Sequence, residues 1–275
     1  MRVLLSLVLV FSMAVTACDD GDGGGGDDGG GGGGVDTAQP EDTVDPGGCI
    51  LADLTGRAYR VTVLNSTEPT TLLNTTFEMD IATYVNVLVF RIVEHNTEEG
   101  YLMMTAGPCS TEFVDPDAEE LVVKAFRYAL PVEPFRVELD GCAFAIEEAA
   151  VLDMMFETLS DSYRVDRLLG SGVIRKDLSG IDEGSLEGGI LLETAINLCT
   201  TIPGLGVVNF HWFLTNAHIC PNFDVDDDGE MDAYYFAGTF NAEDATDVFV
   251  PDEIVPIESI VEECKPHDDP CYPVE

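Results

Sequence analysis

The chain has 275 residues, with 52 Asp and Glu against 12 Lys and Arg, for a formal net charge of −40. A surface this acidic is repelled by phosphate backbones, which excludes nucleic acid as a partner and makes anionic lipid headgroups unattractive as well. The same acidity suits a soluble exported domain or one that binds divalent cations through carboxylate oxygens.

The chain opens with MRVLLSLVLVFSMAVTACDD. One cation, Arg2, precedes an apolar run from Val3 to Val15 and then small residues, which is the layout of a secretory signal. The run is too short for a stable transmembrane helix. Its end, Val15-Thr16-Ala17-Cys18, resembles the lipobox of bacterial lipoproteins. That resemblance implies cleavage after residue 17, acylation of Cys18, and export to the periplasmic face or the cell surface, with the membrane leaflet open. Several acyl chains, at ~0.8 kcal/mol per buried CH2, give firm attachment to the lipid bilayer. Removing residues 1–17 takes away Arg2 alone among charged residues, so −40 becomes −41.

Residues 18–48 comprise Cys18 and a run of aspartate and glycine with almost nothing apolar to bury. Such a segment is expected to be a disordered tether. At ~5–6 Å × √n, some 30 residues reach about 30 Å r.m.s.. The competing reading is a calcium-sponge tail of aspartates.

Residues 49–275 are expected to form a single globular domain with disulfides, which an exported compartment permits. Beyond Cys18 there are Cys49, Cys109, Cys142, Cys199, Cys220, Cys264 and Cys271, an odd number. The expected pairs are Cys264 with Cys271 around a short Pro-rich loop, Cys199 with Cys220, and Cys109 with Cys142. No CxxC occurs, so a zinc ribbon or redox motif is unsupported.

In chain order, GRAYRVTVL (56–64) alternates, with Tyr59, Val61 and Val63 on one face and Arg60, Thr62 and Leu64 on the other. TYVNVLVFRIVEH (83–95) reads as a long strand buried on both faces. YLMMTAG, LVVKAFRYAL, FRVEL and CAFAI follow as strands at hairpin spacing, punctuated by Pro, Gly and Asp. EEAAVLDMMFETLS (147–160) has helix-forming composition. SLEGGILLETAINLC (185–199) offers Ser185 as a cap, with Ile190, Leu191, Thr194 and Leu198 near helical spacing. VVNFHWFL (207–214) reads as a strand with Val208, Phe210, Trp212 and Leu214 on its apolar face and His211 half-exposed on the other. AYYFAGTF (233–240) is a further strand. The expected fold is mainly β, an antiparallel sandwich or barrel with one or two short helices.

Three motifs bear on function. HWFLTNAHIC resembles the histidine segment of chymotrypsin-like serine proteases at Leu214, Thr215, Ala217 and His218. That family needs a downstream nucleophile in a Gly-Asp-Ser-Gly-Gly setting, and the only later serine is Ser259 in PIESIVEE. No nucleophile–base pair can be assigned. His211 and His218 are seven apart, which fits neither strand nor helix zinc spacing. LTGRAY resembles the opening of lipocalins, with Ala58 or Tyr59 where that family has tryptophan.

The third motif is DVDDDGEMD. Counted from Asp224, carboxylates fall at loop positions 1 (Asp224), 3 (Asp226), 5 (Asp228), 7 (Glu230) and 9 (Asp232), with Gly229 at position 6. It resembles EF-hand, dockerin and thrombospondin type 3 calcium loops, here spanning 224–235. The resemblance implies that Glu230 donates its backbone carbonyl. Position 12 departs, with Tyr235 in place of an acid, which points to affinity near ~10⁻⁴ to 10⁻³ M.

The expected function is therefore a lipid-anchored exported protein with a calcium-stabilised, non-enzymatic binding or structural domain, whose partner would be a protein, a glycan or an apolar ligand. The alternatives are an enzyme resting on acids such as Glu147, Glu148 and Asp153, and a lipocalin-like carrier of an apolar ligand with an open interior.

Overall fold

The computed structural model describes residues 52–256, apart from 85–86, 119, 157–161 and 203. The signal segment, Cys18, the tether, Cys49, Ser259, Cys264 and Cys271 lie outside the described residues. Twelve strands are numbered along the chain: β1 (Ala58–Glu68), β2 (Val87–Asn96), β3 (Tyr101–Phe113), β4 (Val123–Tyr128), β5 (Phe135–Asp140), β6 (Ala143–Phe156), β7 (Ser162–Ile174), β8 (Gly180–Leu191), β9 (Cys199–Ile202), β10 (Gly206–Asn209), β11 (Ala233–Asp244) and β12 (Phe249–Ile254). Among the described residues three α-helices accompany them: α1 (Asn74–Ala82), α2 (Leu192–Asn197) and α3 (Phe210–Asn216).

Eight strands close an antiparallel barrel in the order β3-β2-β1-β11-β8-β7-β6-β5 and back to β3. Closure depends on β3 forking. Its first residues, Tyr101–Met104, pair with β5, and its last, from Cys109 to Phe113, pair with β4. Beyond the fork the sheet continues through β4 to β12, which runs parallel to it. This flap covers a small second core of Val87, Val89, Cys109, Phe126, Tyr128 and Phe249.

Alternation fills the barrel interior. On β11, Tyr234, Phe236, Phe240 and Ala242 are buried, while Thr239 and Asn241 between them are exposed. Gly184 lies directly across from Phe240 in the β8–β11 ladder, and a Cβ there would come within 2.5 Å of the Phe240 ring. That ring also stacks on Phe90 at 5.1 Å, so it has nowhere to retreat. Gly184→Ala is expected to cost about 1–3 kcal/mol, read as a lower urea midpoint. An unchanged midpoint would show that the ring can move.

The helices close one end of the barrel, where β8 ends and β11 begins. Phe77 of α1 meets Tyr163 of β7 edge-on at 5.9 Å, Tyr163 meets Phe210 of α3 at 5.2 Å, and Phe210 meets Tyr234 of β11 at 6.3 Å. All four rings are fully buried. Offset and edge-on aromatic pairs add to the area they bury.

Several sequence expectations are corrected. β1 alternates only to Val61, because a bulge between Val61 and Val63 shifts the phase; Val63 is exposed and Leu64 buried. Residues 147–156 are strand, not helix. The barrel supplies β7 as their ladder partner, after β5 has paired with residues 143–145 of the same strand, and Leu152 and Met154 alternate inward, overriding helix-favouring composition. Ser185 lies in β8, and helix α2 starts only at Leu192. Gly188 and Gly189 serve close approach instead, since a Cβ there would come within 2.6 Å of the Asp166 carbonyl and of the Phe223 ring respectively.

The 207–214 strand ends at Asn209. The Asn209 side chain accepts from the Trp212 amide at 2.9 Å and so caps α3, while its amide nitrogen donates to the Ile196 carbonyl at 2.6 Å. Burial then follows helical spacing, at Phe210, His211, Phe213 and Leu214. Helix α1 has no counterpart in the sequence reading.

Cys142, Cys199 and Cys220 are disulfide-bonded. Cys109 is a free buried thiol, which corrects the expected Cys109–Cys142 bridge. Tyr101 at the start of β3 pairs with Glu138, close to the turn holding Cys142. At ~3.3 Å per residue, Cys109 lies about 25 Å further along the strand, far beyond disulfide reach. Burial pushes its thiol pKa well up.

Candidate metal loop

Residues 224–232 form a loop pinched at its neck. Phe223 and Ala233 form an isolated antiparallel bridge, with amide–carbonyl distances of 3.1 Å and 3.0 Å. The Asn222 side chain accepts from the Tyr235 amide at 2.9 Å, and the Asp232 carbonyl accepts from the Leu192 amide at 2.8 Å. The loop is thus fastened to β11 and to the start of α2, at the plugged end of the barrel.

Within the loop the chain coils tightly. Asp227 and Gly229 have φ of 63° and 93°, the left-handed region that glycine enters freely. Asp224 accepts from the Gly229 amide at 2.8 Å, Asp226 from Asp228 at 3.2 Å, Asp228 from Glu230 at 2.8 Å, and Asp232 from Val225 at 3.0 Å. Carboxylate oxygens of Asp224, Asp226 and Asp228 come within 4.8 Å of one another. Of the five expected ligands these three converge. Asp232 closes the loop through Val225, and Glu230 is exposed and outside the cluster. Tyr235 faces elsewhere: its hydroxyl donates to Glu187 at 2.6 Å, and that hydrogen bond, with desolvation, pushes its pKa up to about 12.

Arg167 is the residue sequence reasoning missed. A register shift in β7 between Asp166 and Leu169 puts Arg167 at φ 52°. One guanidinium nitrogen donates to the Asp224 carbonyl at 3.2 Å, the Val225 carbonyl at 3.2 Å and the Asp227 carboxylate at 2.8 Å. A bulge re-aims side chains in this way. Arg167 therefore pairs with the one loop aspartate outside the odd-position pattern, leaving Asp224, Asp226 and Asp228 to face one another. The bulge itself has no sequence signature.

Two features make the cluster suited to a hard cation. Asp224 Oδ2 takes the Gly229 amide, while Oδ1 is buried with no hydrogen-bond partner among the described residues, a costly state for an anionic oxygen. At Asp226 the Asp228 amide pulls the pKa down, but desolvation and the charges of Asp228, Asp232 and Asp224 outweigh it and raise it above the ordinary carboxylate value. All donors are oxygen, which suits calcium over zinc.

The sign of that shift gives a test. A carboxyl whose folded pKa is raised favours the native state below its unfolded pKa and loses that benefit as pH rises through the folded value. In chelator, Asp226→Asn is therefore expected to raise the melting temperature at neutral pH, with the gain fading below the carboxylate range. A neutral or lower melting temperature at pH 7 would mean that the carboxylates do not repel.

The histidines do not join the loop. His211 is 3% exposed on α3, not half-exposed, and its Nδ1 lies 2.7 Å from the Tyr234 hydroxyl. Burial holds the Tyr234 pKa well above its usual value. Tyr234→Phe is expected to cost about 1–3 kcal/mol by leaving a buried imidazole nitrogen short of a partner, read by urea unfolding; a stabilised variant would contradict the pairing. His218 follows α3 at φ 61°, exposed. The protease-like segment Leu214–His218 thus spans the last residues of a plugging helix and the turn that follows it.

Of the acids considered for an enzyme, Asp153 lines an open cleft of about 590 Å³ on the outer wall, with Arg164, Arg136 and Glu133. Glu147 and Glu148 are on β6, and their side chains lie outside the described residues.

No protein-family model, curated protein or solved structure matches the chain. The class is therefore defined by its own features: a closed eight-stranded antiparallel barrel, capped by helices at one end, with a carboxylate loop fastened to that end.

Proposed function

We propose that the protein is an exported, lipid-anchored module in which calcium locks a loop at the capped end of a non-enzymatic binding or structural barrel. The observation that carries the calcium reading is the convergence of Asp224, Asp226 and Asp228, with a buried, unpartnered oxygen on the first of them. Calcium would be held by these three carboxylates and, by the loop pattern, the Glu230 carbonyl. It would neutralise charges that otherwise repel and fix the link between α3 and β11. Anchoring rests on the Val15–Cys18 pattern and the tether that follows.

Isothermal titration of the full chain with calcium tests the first part. One site of near-millimolar affinity, absent from Asp224→Ala, is expected; identical isotherms would remove the loop from the account. Intact mass and membrane fractionation of the wild type and Cys18→Ala test the second. Unmodified, freely soluble wild-type protein would overturn anchoring.

A closed antiparallel barrel is also the architecture of a carrier. Here, however, Tyr59, Phe90, Tyr163, Phe210, Tyr234 and Phe236 fill the interior as fully buried side chains. Small barrels of this strand number are either packed in this way or hold one ligand. The packed interior favours the module over the carrier.

A further inference from the structure

One covalent bond of the barrel ends outside the described residues. Cys142, Cys199 and Cys220 are disulfide-bonded, and Cys109 is free. Cys142 sits in the turn between β5 and β6, where its carbonyl accepts from the Ile174 amide at 2.9 Å. Cys199 and Cys220 belong to the capped end. Thr200, beside Cys199, accepts from the Tyr163 hydroxyl at 2.7 Å, and the Asn222 amide, close behind Cys220, donates to the Ala233 carbonyl at 2.9 Å. Ala233 in turn pairs with Leu191. From Ile174 to Tyr163, β7 runs about 35 Å at ~3.3 Å per residue, and from Ile181 to Leu191, β8 runs about 33 Å. Disulfides join Cα atoms no more than about 7 Å apart. Neither Cys199 nor Cys220 reaches Cys142, so its partner is Cys18, Cys49, Cys264 or Cys271.

The described chain begins at the same end as Cys142. The Leu54 amide donates to His95 Nδ1 at 3.2 Å, and the Gly56 amide to the Ile92 carbonyl at 2.8 Å. His95 pairs with Leu102 and Leu102 with Val137, so β5 is two strand spacings, about 10 Å, from this point. Strand β5 then leads to the Asp140–Ala143 pair that closes the turn holding Cys142. Ala52 and Cys142 both pack against the main core cluster. Cys49 shortly precedes Ala52, and a chain that advances up to ~3.6 Å per residue covers the remaining gap. The C-terminal cysteines start from farther away. The Val255 amide donates to the Tyr128 carbonyl at 2.9 Å, and Tyr128 lies opposite Cys109, about 25 Å along β3 from the Cys142 end. Cys264 and Cys271 are also the expected local pair. With Cys18 acylated and Cys109 free, the remaining cysteines make three bonds when Cys49 takes Cys142.

We propose that Cys142 is bonded to Cys49, and that this disulfide clasps the end of the tether to the β5–β6 turn, at the end of the barrel opposite the calcium loop. As the S–S bond forms, the two thiols give up two protons and two electrons, which a protein or small-molecule disulfide of the exported compartment accepts. The bond itself stands on the barrel geometry, and its role as a clasp rests on the acyl anchor of the preceding subsection. Without the bond, the first described residues are held to β2 by the Leu54 and Gly56 amides and by the Ile92 amide on the Arg57 carbonyl at 2.8 Å. A pull along an anchored tether would then peel fully buried Leu54 out of the core, one hydrogen bond at a time. With the bond, the pull reaches the barrel at the β5–β6 turn through a covalent link, and residues 52–57 carry none of it.

Non-reducing peptide mapping of the full chain, with free thiols blocked before digestion, reads the bond. A peptide pair joining Cys49 to Cys142 is the expected result. Cys142 joined to Cys18, Cys264 or Cys271, or carrying the blocking group, overturns the proposal. Amide hydrogen exchange of the full-chain Cys49→Ser/Cys142→Ser variant reads the clasp. The Leu54 and Gly56 amides should speed up at least tenfold more than the Phe210 amide, which donates to the Leu198 carbonyl at 2.8 Å at the capped end. An acceleration at Leu54 and Gly56 no greater than at Phe210 overturns the clasp, because the bond would then act on the whole barrel alike. The map reads the bond whether or not Cys18 is acylated, so an unmodified Cys18 in the intact mass overturns the anchor by a separate signal.

Discussion

Phe210→Ala is expected to remove about 3–5 kcal/mol of stability, the range for deleting a fully buried aromatic ring. Phe210 is completely buried and touches both Tyr163 and Tyr234 edge-on. Its loss opens a cavity between α3 and the two barrel strands, and the edge-on contacts go with it. Domains of this size have ~5–15 kcal/mol in total, so the variant should unfold at a much lower urea midpoint with little change in slope. Trp212→Phe, half-buried on the same helix, is the comparison and should cost far less. If Phe210→Ala lost under about 1 kcal/mol, α3 would not be a plug.

Calcium is expected to raise the unfolding free energy by about 2.7 kcal/mol at a hundredfold excess over Kd, because it binds the native loop and not the unfolded chain. With Kd between ~10⁻⁴ and 10⁻³ M, that excess is about 10–100 mM. The gain should be absent in Asp226→Ala. Arg167→Ala should keep a response but weaken it, since the guanidinium holds the Asp224 and Val225 carbonyls and draws off the Asp227 charge. An equal calcium gain in Asp226→Ala would move the effect to some other set of carboxylates.

How much of this was legible depended on which interactions are local. The strands at 58–68, 87–96 and 233–244 follow from β-branched and aromatic content, and the barrel was one of the two expected architectures. The loop was legible because its carboxylate spacing and glycine lie within nine residues. The failures have non-local causes. Residues 143–156 pair with β5 and β7 despite their composition, and the phase of β1 changes at a bulge that only its partner β11 reveals. Helix α3 was hidden because VVNFHWFL satisfies both periods, and the Asn209 cap decides between them. Arg167 reaches the loop from 57 residues away, and Cys109 is separated from Cys142 by the length of β3, which no cysteine count discloses.

The central claim is that the acidic loop at 224–232 is a cation site and not one acidic stretch among many. Amide NMR of the full chain during a calcium titration tests it most directly. The account predicts that the amides of Val225, Asp228, Gly229 and Glu230, each already bonded to a loop carboxylate, shift and saturate together, and that they stay still in Asp226→Ala. Shifts spread over the tether aspartates between Asp19 and Asp28, with the loop amides unmoved, would contradict it.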